Sequence, residues 1–597
     1  MTNCKAFYYL KSACFMSVSA IALILTTEMP LKANNLPLYI AQTPRPPNIP
    51  LPDPQRQQQI KPLPPIEDFL ESPPNNVPNS DSSETSVEFE VKQFKLEGNT
   101  VLKPEAVEAI FKQYRDRPIT FADLLEIETK LTRLYNKNGY INSAVVIPSP
   151  QNLSEGIITI KAIEGTVEEI NVNVNGRLRE NYIRSRLKRG TGTPLNINEL
   201  QEALQLLQLN PLVENLNAEL SVGLSRDRWM LDVDVNQARA FDPVVFANNY
   251  RTPSVGSFQR GLELNHNNVL GFADRFSFIY KNTAGSNDFD TSYQIPVNSL
   301  DGTVGLRYRY VDSEIVEAEF EDLGIESETS EVELTLRQPL LVSANSESTQ
   351  ELALGLEFSR QSNSTTIDPV GGDGRVPFDL TSNRDTRDPD DIGDTRISAV
   401  RFFQDWTRRT RKDVIAERSQ LSAGLDIFDS TVNENEADLN FFAWRGQVQW
   451  LRQLASSSNI NLLLRSDIQL SASDLVPLEQ FSLGGVESVR GYRQDALLSD
   501  NGIFASAEVR IPFYRWSNNQ SNVSVVPFVD VGTSWSNSED VDREEDTAAS
   551  FGVGLQLNLD DSLRARIDYG IPLVDIEDND NSLQENGLYL SLEYFPF

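Results

Sequence analysis

The chain has 597 residues, of which 86 are acidic and 53 basic, giving a formal net charge of −33, and 39% are hydrophobic. That length exceeds one ordinary domain, and a field of that sign repels polyanions, which argues against a nucleic-acid partner. A mean hydropathy of −0.36 excludes a bundle of apolar helices but not a membrane β-barrel, whose strands dilute lipid-facing residues with polar ones.

Lys5 and Lys11 precede the apolar run Ala13–Leu25, with Ala33 and Ala41 beyond it, the layout of a secretory signal peptide assigned to residues 1–41. Both cysteines, Cys4 and Cys14, fall inside it, so the exported chain is expected to carry neither disulfides nor thiol chemistry. Residues 42–86 hold PDPQRQQQIKPLPP and then NNVPNSDSSETS, a proline-rich composition that reads as an extended tether. A short plug or docking helix around Gln55–Lys61 is the alternative.

Residues 87–165 change in texture. FEVKQFKLEG alternates as a strand does, and Gly98-Asn99 turns the chain. Pro104–Tyr114 suits a short helix. Thr120 with Asp123 three residues on is a capping pair opening a second helix, with Leu124, Leu125, Ile127, Leu131, Leu134 and Tyr135 on one face. Strands are expected at Tyr140–Ile147 and Gly156–Ile163. The same β-α-α-β-β order returns over residues 166–238: strand Val167–Gly176, helices Glu180–Leu187 and Ile197–Leu209, strands Leu216–Val222 and Trp229–Val235. Two tandem copies of one small α+β unit are therefore expected.

From residue 239 helical periodicity disappears. Phe276, Phe278 and Tyr280 alternate with polar residues, as do Val332, Leu334 and Leu336, Leu352 to Phe358, and Phe551 to Leu559. About sixteen such segments fill residues 239–597, roughly 22 residues per strand and connection, which suits a membrane-spanning antiparallel barrel. Long polar connections are expected near Ser313–Thr329, Gln361–Ile392, Ser471–Asp500, Ser536–Thr547 and Asp575–Asn586. Tight ones such as Thr407–Arg411 and Asp560–Ser562 lie between them, and Phe597 closes the last strand with an aromatic. A soluble β-sandwich shares the alternation but not the export signal.

Sites for chemistry are scarce. A single histidine, His266, rules out a zinc site or triad built on several histidines. Gly371–Asp394 is rich in oxygen ligands but lacks calcium-loop spacing, and Glu544 with Glu545 reads as acidic loop. No enzyme activity, cofactor or metal is expected.

FEVKQFKLEGNTVL, LTRLYNKNGYINSAVVIPSPQ and GIITIKAIEG resemble the first POTRA domain of two-partner-secretion transporters of the hemolysin secretion/activation (TpsB) type. LQEALQLLQLNPLVENLNAELSVG is similar to their second. The barrel carries LGGVESVRGYRQDALLSDNG and, forty residues after its arginine, the aspartate of FVDVG. The resemblance implies an extracellular loop folded back into the barrel. In it Arg490 is anchored on Asp530 of the wall, Gly491 and Tyr492 shape the tip, and Phe528 and Gly532 flank the aspartate. It also implies client capture at a POTRA edge formed by Tyr140, Ile141, Val145, Val146 and Ile147 beside the helix Phe121–Asn138, with Leu216–Val222 as its second-domain counterpart. The implied partners are an unfolded secreted exoprotein, outer-membrane lipid and, during biogenesis, the barrel-assembly machinery. The expected protein is an outer-membrane translocator of a Gram-negative-type cell; the alternatives are a barrel-assembly insertase or a passive porin.

Overall fold

The computed structural model describes residues 70–71 and 88–596, apart from 152–155, 224, 226, 319, 346, 369–375, 378–392, 429, 431–440, 456–458, 517–520, 538–545 and 577–581. The expected signal peptide, nearly all of the tether, most of Gly371–Asp394, Glu544, Glu545 and Phe597 lie outside the described residues.

After β1 (Leu70–Glu71) the first repeat comprises β2 (Phe89–Glu90), β3 (Gln93–Glu97), α1 (Pro104–Phe111), β4 (Pro118–Ile119), α2 (Phe121–Lys137), β5 (Ala144–Val146) and β6 (Ile157–Ile163). Helix α2 begins at a reciprocal cap: Asp123 N–H donates to Thr120 Oγ1 at 3.3 Å and Thr120 N–H to Asp123 Oδ2 at 2.8 Å, which satisfies two otherwise orphaned donors. The Thr120 bond holds the Asp123 carboxyl below its ordinary range. Leu124, Ile127, Leu131 and Tyr135 then bury against Phe94, Phe111, Ile158 and Ile160.

Two strand expectations need correction here. Only Ala144–Val146 of Tyr140–Ile147 is extended. Tyr140 N–H returns to Tyr135 O and Ser143 N–H to Tyr140 O, both at 3.1 Å, so the chain is still turning off the helix across Tyr140–Ser143. FEVKQFKLEG is likewise broken, because Lys92 and Gln93 both donate to Gly156 O while Phe89 and Glu90 pair with β4.

The second repeat contains β7 (Thr166–Asn175), α3 (Glu180–Gly190), α4 (Ile197–Gln208), β8 (Val213–Val222) and β9 (Arg228–Gln237), in the sheet order β1-β8-β9-β7. Its core is Ile183, Leu187, Leu200, Leu204, Ala218 and Leu231. The repeats are joined through backbone: Ile197 N–H donates to Gly139 O at 2.9 Å and Leu195 N–H to Gly165 O at 2.8 Å. The turn that ends α2 thus satisfies the first donor of α4.

The remaining elements are β10 (Phe241–Asn248), β11 (Gln259–His266), β12 (Arg275–Asn282), β13 (Ser286–Pro296), β14 (Thr303–Glu314), β15 (Glu326–Ala344), β16 (Ser348–Ile367), β17 (Val376–Pro377), β18 (Asp394–Thr410), β19 (Asp413–Gly424), β20 (Phe442–Ala455), β21 (Ile460–Ser471), β22 (Phe481–Leu483), β23 (Leu497–Ser499), β24 (Asn501–Arg515), β25 (Asn522–Trp535), β26 (Asp546–Leu559), β27 (Leu563–Pro572) and β28 (Leu588–Tyr594). Among the described residues a closed antiparallel barrel of sixteen strands results, with the short β17 added beside β16 and the β22–β23 ladder set apart. The closing seam is brief, Val245–Asn248 against Ser591–Tyr594.

The pleat sorts side chains by solvent. Leu306, Val332, Leu334, Val529, Val553 and Leu555 are exposed on the outside, whereas Arg309, Glu333, Arg401, Glu508, Asp530 and Arg566 are buried within. Apolar outside and charged inside is the arrangement of a membrane barrel. Strands β15 and β16 outrun the expected loop boundaries at Thr329 and Gln361, because polar pairs such as Asn363 Nδ2 to Ser327 Oγ (2.7 Å) and to Thr329 Oγ1 (2.8 Å) continue the ladder beyond the apolar band.

The second repeat sits on turns at one end of the barrel. Arg177 donates to Val269 O, the Arg179 amide donates to Gly271 O at 2.9 Å, and Arg189 donates to Ser299 O. Arg186 pairs with Asp301 and lies over the Tyr182 ring, while Glu202 accepts from Ala344 N–H at 3.0 Å. Burial and the Asp301 charge push the Tyr182 hydroxyl up to about 12.

Candidate functional site

The connection from β21 to β24, the eleventh and twelfth barrel strands, turns inward. Its β22–β23 ladder and the apolar residues Phe481, Leu483, Val489 and Tyr492 pack on Phe504 and Ala548 of the wall. A loop with its own apolar underside is held by area as well as by polar bonds.

Arg490 points from this loop into the wall. Its Nε donates to Asp530 Oδ2 at 2.7 Å and its Nη2 to Asp530 Oδ1 at 2.9 Å, the parallel fork that arginine offers a carboxylate; its own backbone N–H adds a bond to Oδ2 at 3.2 Å. The pair is sealed, with side chains 1% and 0% exposed. The guanidinium lies 3.4 Å from the centroid of the Phe528 ring, so the aromatic of F-x-D-x-G stacks on the same arginine that its aspartate binds. Period-two alternation on β25 makes this possible by putting Phe528, Asp530 and Gly532 on one lumen face. Gly532 leaves room for Leu483 of the loop, whose Cδ2 would stand 2.7 Å from an added Cβ.

Arg490 also reaches Glu508 at 3.0 Å, and the charges continue from there: Arg566 to Glu508 at 2.8 Å and to Asp568 at 2.6 Å, and Arg510 to Glu508 at 2.8 Å. Arg490, Arg510 and Arg566 pair here with Asp530, Glu508 and Asp568, and Arg465 stands close enough to feel the same charges. Such a cluster tolerates the loss of no single member, because each is the counter-ion of another.

The tip is fixed through its backbone. Gly491, at φ +104°, donates its N–H to Tyr589 Oη at 2.9 Å, and the Tyr589 hydroxyl donates to Tyr492 O. The Tyr492 hydroxyl lies 2.9 Å from Ala549 O and 2.8 Å from Val574 O. On the wall opposite, a Cβ at Gly570 would come within 2.7 Å of Gly491 N, so the tip and β27 touch backbone to backbone. Arg493 makes a second attachment, donating to Glu317 at 3.0 and 3.1 Å and to Glu585 at 3.2 Å, residues of two other connections at the same end of the barrel.

All six predicted loop-anchor residues therefore meet in one place. The five predicted edge residues do not. Val145 and Val146 lie on β5, the outer strand of the order β3-β6-β5, with Ile147 just beyond. Val145 is a core residue, and Tyr140 and Ile141 belong to the preceding turn, with Tyr140 packed edge-on to Tyr135. Sequence reasoning missed Glu508, Tyr589, Glu317, Glu585 and Gly570. Alternation places Glu508 and Tyr589 in the lumen, but nothing local names Arg490 or Gly491 as their partners.

These features define a class: an outer-membrane β-barrel with adaptor repeats beneath it and one of its own loops seated in the bore. Residues 216–592 match the Omp85 superfamily domain, and residues 89–165 match the ShlB-type POTRA domain. The chain belongs to the Omp85 superfamily. It is similar to the Heme/hemopexin transporter protein HuxB of Haemophilus influenzae, with 21% identity over 563 residues, 90% of this chain and 92% of that one. It is also similar to the Outer membrane transporter CdiB of Dickeya dadantii, with 23% identity over 78% of this chain and 79% of that one. Among solved structures, CdiB from Escherichia coli superposes with a TM-score of 0.63 at 19% identity, covering 89% of this chain and 94% of that chain. CdiB from Acinetobacter baumannii gives 0.58 at 16%, covering 88% and 95%. The resemblance to two-partner-secretion transporters, the barrel of sixteen strands and the outer-membrane location stand together.

Proposed function

We propose that the chain is the translocator of a two-partner-secretion system, taking an unfolded exoprotein from the periplasm through its POTRA repeats and passing it outward through the barrel. The observation that carries this reading is the loop held in the bore by the sealed Arg490–Asp530 pair. A passive pore has no need to hold its own loop on a buried charge cluster, whereas a conduit for a polypeptide needs an element that closes the bore and retains its seat. The ShlB-type POTRA match and relatives named as transporters support secretion over general barrel assembly. Arg490, Gly491, Tyr492, Phe528, Asp530 and Gly532 form the loop anchor. The backbone edges of β5 and β8 are where an extended client adds a strand. Outer-membrane lipid surrounds the apolar belt, and the barrel-assembly machinery inserts the chain.

Deletion of the protein followed by comparison of culture medium and outer membrane tests this. Loss of one or a few large polypeptides from the medium, with other barrels assembled normally, is expected. A general loss of other outer-membrane barrels would instead identify an insertase.

A further inference from the structure

Strand β1 has a placement that composition does not foretell. Leu70 and Glu71 belong to the segment before the first repeat, yet they pair in parallel with the second: Leu70 stands opposite Ala218 and Glu71 opposite Glu219. The other side of β8 is bonded to β9, so at these positions β1 turns an edge strand into an interior one. The corresponding edge of the first repeat, β5, has three residues and, among the described residues, no strand beyond it. β8 has ten, with Leu216, Ala218 and Leu220 buried on its core face. The long edge is the covered one. Residues 72–88, which reach up to about 60 Å when extended, carry the chain from β1 to the start of the nearer repeat.

We propose that the outer edge of β8 is a parallel-strand acceptor whose resident occupant is this chain's own Leu70–Glu71, and that an extended segment of the exoprotein must displace it to enter. This rests on the translocator reading above. One row of N–H and C=O groups cannot serve two strands, so tether and client exclude each other at positions 218–219. The tether covers two of the ten residues and is weak by itself, but being attached it acts at an effective concentration of millimolar order. A short extended peptide in the periplasm cannot compete with that, whereas a long one that pairs along the whole of β8 can. The cover therefore selects for length and extension, and it shields an edge that would otherwise recruit any unfolded chain.

The pairing can be locked. With Cys4 and Cys14, the only native cysteines, changed to serine, the full-length chain carrying Glu71→Cys and Glu219→Cys is purified in detergent and oxidised. Strand neighbours stand about 4.8 Å apart, within disulfide reach. Disulfide formation in most molecules is expected, with yield at least about tenfold lower for Glu71→Cys with Ser221→Cys, two residues out of register. In cells, the 71–219 pair once oxidised should export about tenfold less, or lower still, of the polypeptide identified by deletion than the same variant kept reduced with dithiothreitol. Absence of the disulfide, equal yield out of register, or undiminished export by the locked protein would each overturn the proposal. If the unaltered chain exports nothing, the translocator reading fails instead, while disulfide formation in the purified protein still decides whether the tether covers β8.

Discussion

Two arginine–aspartate pairs join separate parts of this chain, and they are built for different duties. Arg490 and Asp530 are sealed together between the loop and the barrel wall. Arg186 and Asp301 join the second repeat to a barrel turn, but there the aspartate side chain is 52% exposed. Water reaches Asp301, and the buried Arg186 keeps Tyr182 O and the face of the Tyr182 ring without it, so that pair contributes less than the sealed one. The repeat is held instead by several dispersed backbone contacts, through Arg177, Arg179, Arg189 and Glu202. The loop is held at a few points that depend on one another. One attachment is graded, and the other is close to all-or-none.

Substitutions can break this contrast in order of size. Asp530→Ala takes the bidentate counter-ion from the sealed Arg490, leaving it Glu508, and should cost about 3–5 kcal/mol at the loop seat. Export is expected to fall to background while the barrel remains folded, read from its heat-dependent mobility in gels. Tyr589→Phe removes a hydroxyl that accepts from Gly491 and donates to Tyr492, leaving two buried backbone groups unsatisfied at about 1–3 kcal/mol. Partial loss of export, measured as exoprotein in the medium, should follow. Asp301→Ala takes one partner from the buried Arg186, which keeps its Tyr182 contacts, and should cost on the order of 1 kcal/mol and leave export within about twofold of normal. A loss from Asp301→Ala as large as that from Asp530→Ala would erase the distinction.

Much of this is legible in the sequence, for identifiable reasons. Period-two alternation marked the barrel strands and put Phe528, Asp530 and Gly532 on one face of β25. The paired VRGY and FVDVG stretches marked the loop anchor through resemblance; alternation alone could not have chosen Asp530 from the other lumen acids. The Thr120–Asp123 cap was readable because both partners lie within one turn. Tyr140–Ile147 misled because YINSAVVI is rich in aromatic and β-branched residues, as strands are, while the bonds that keep Tyr140–Ser143 turning go to backbone carbonyls that no side-chain pattern encodes. Leu70–Glu71 was hidden for the same reason, since strand addition uses backbone and leaves no mark in a proline-rich composition. Tyr589 and Glu317 are close to Arg490 and Arg493 only in three dimensions.

If Asp530 keeps the loop inside the bore, the loop should become accessible when that carboxylate is removed. Ser488, two residues before Arg490, is buried and lends itself to a conservative exchange. With Cys4 and Cys14 changed to serine, Ser488→Cys on intact cells should react slowly with a membrane-impermeant maleimide in the otherwise native chain, and at least about tenfold faster once Asp530→Ala is added. Equal labelling rates with and without Asp530 would show that the loop does not depend on this anchor.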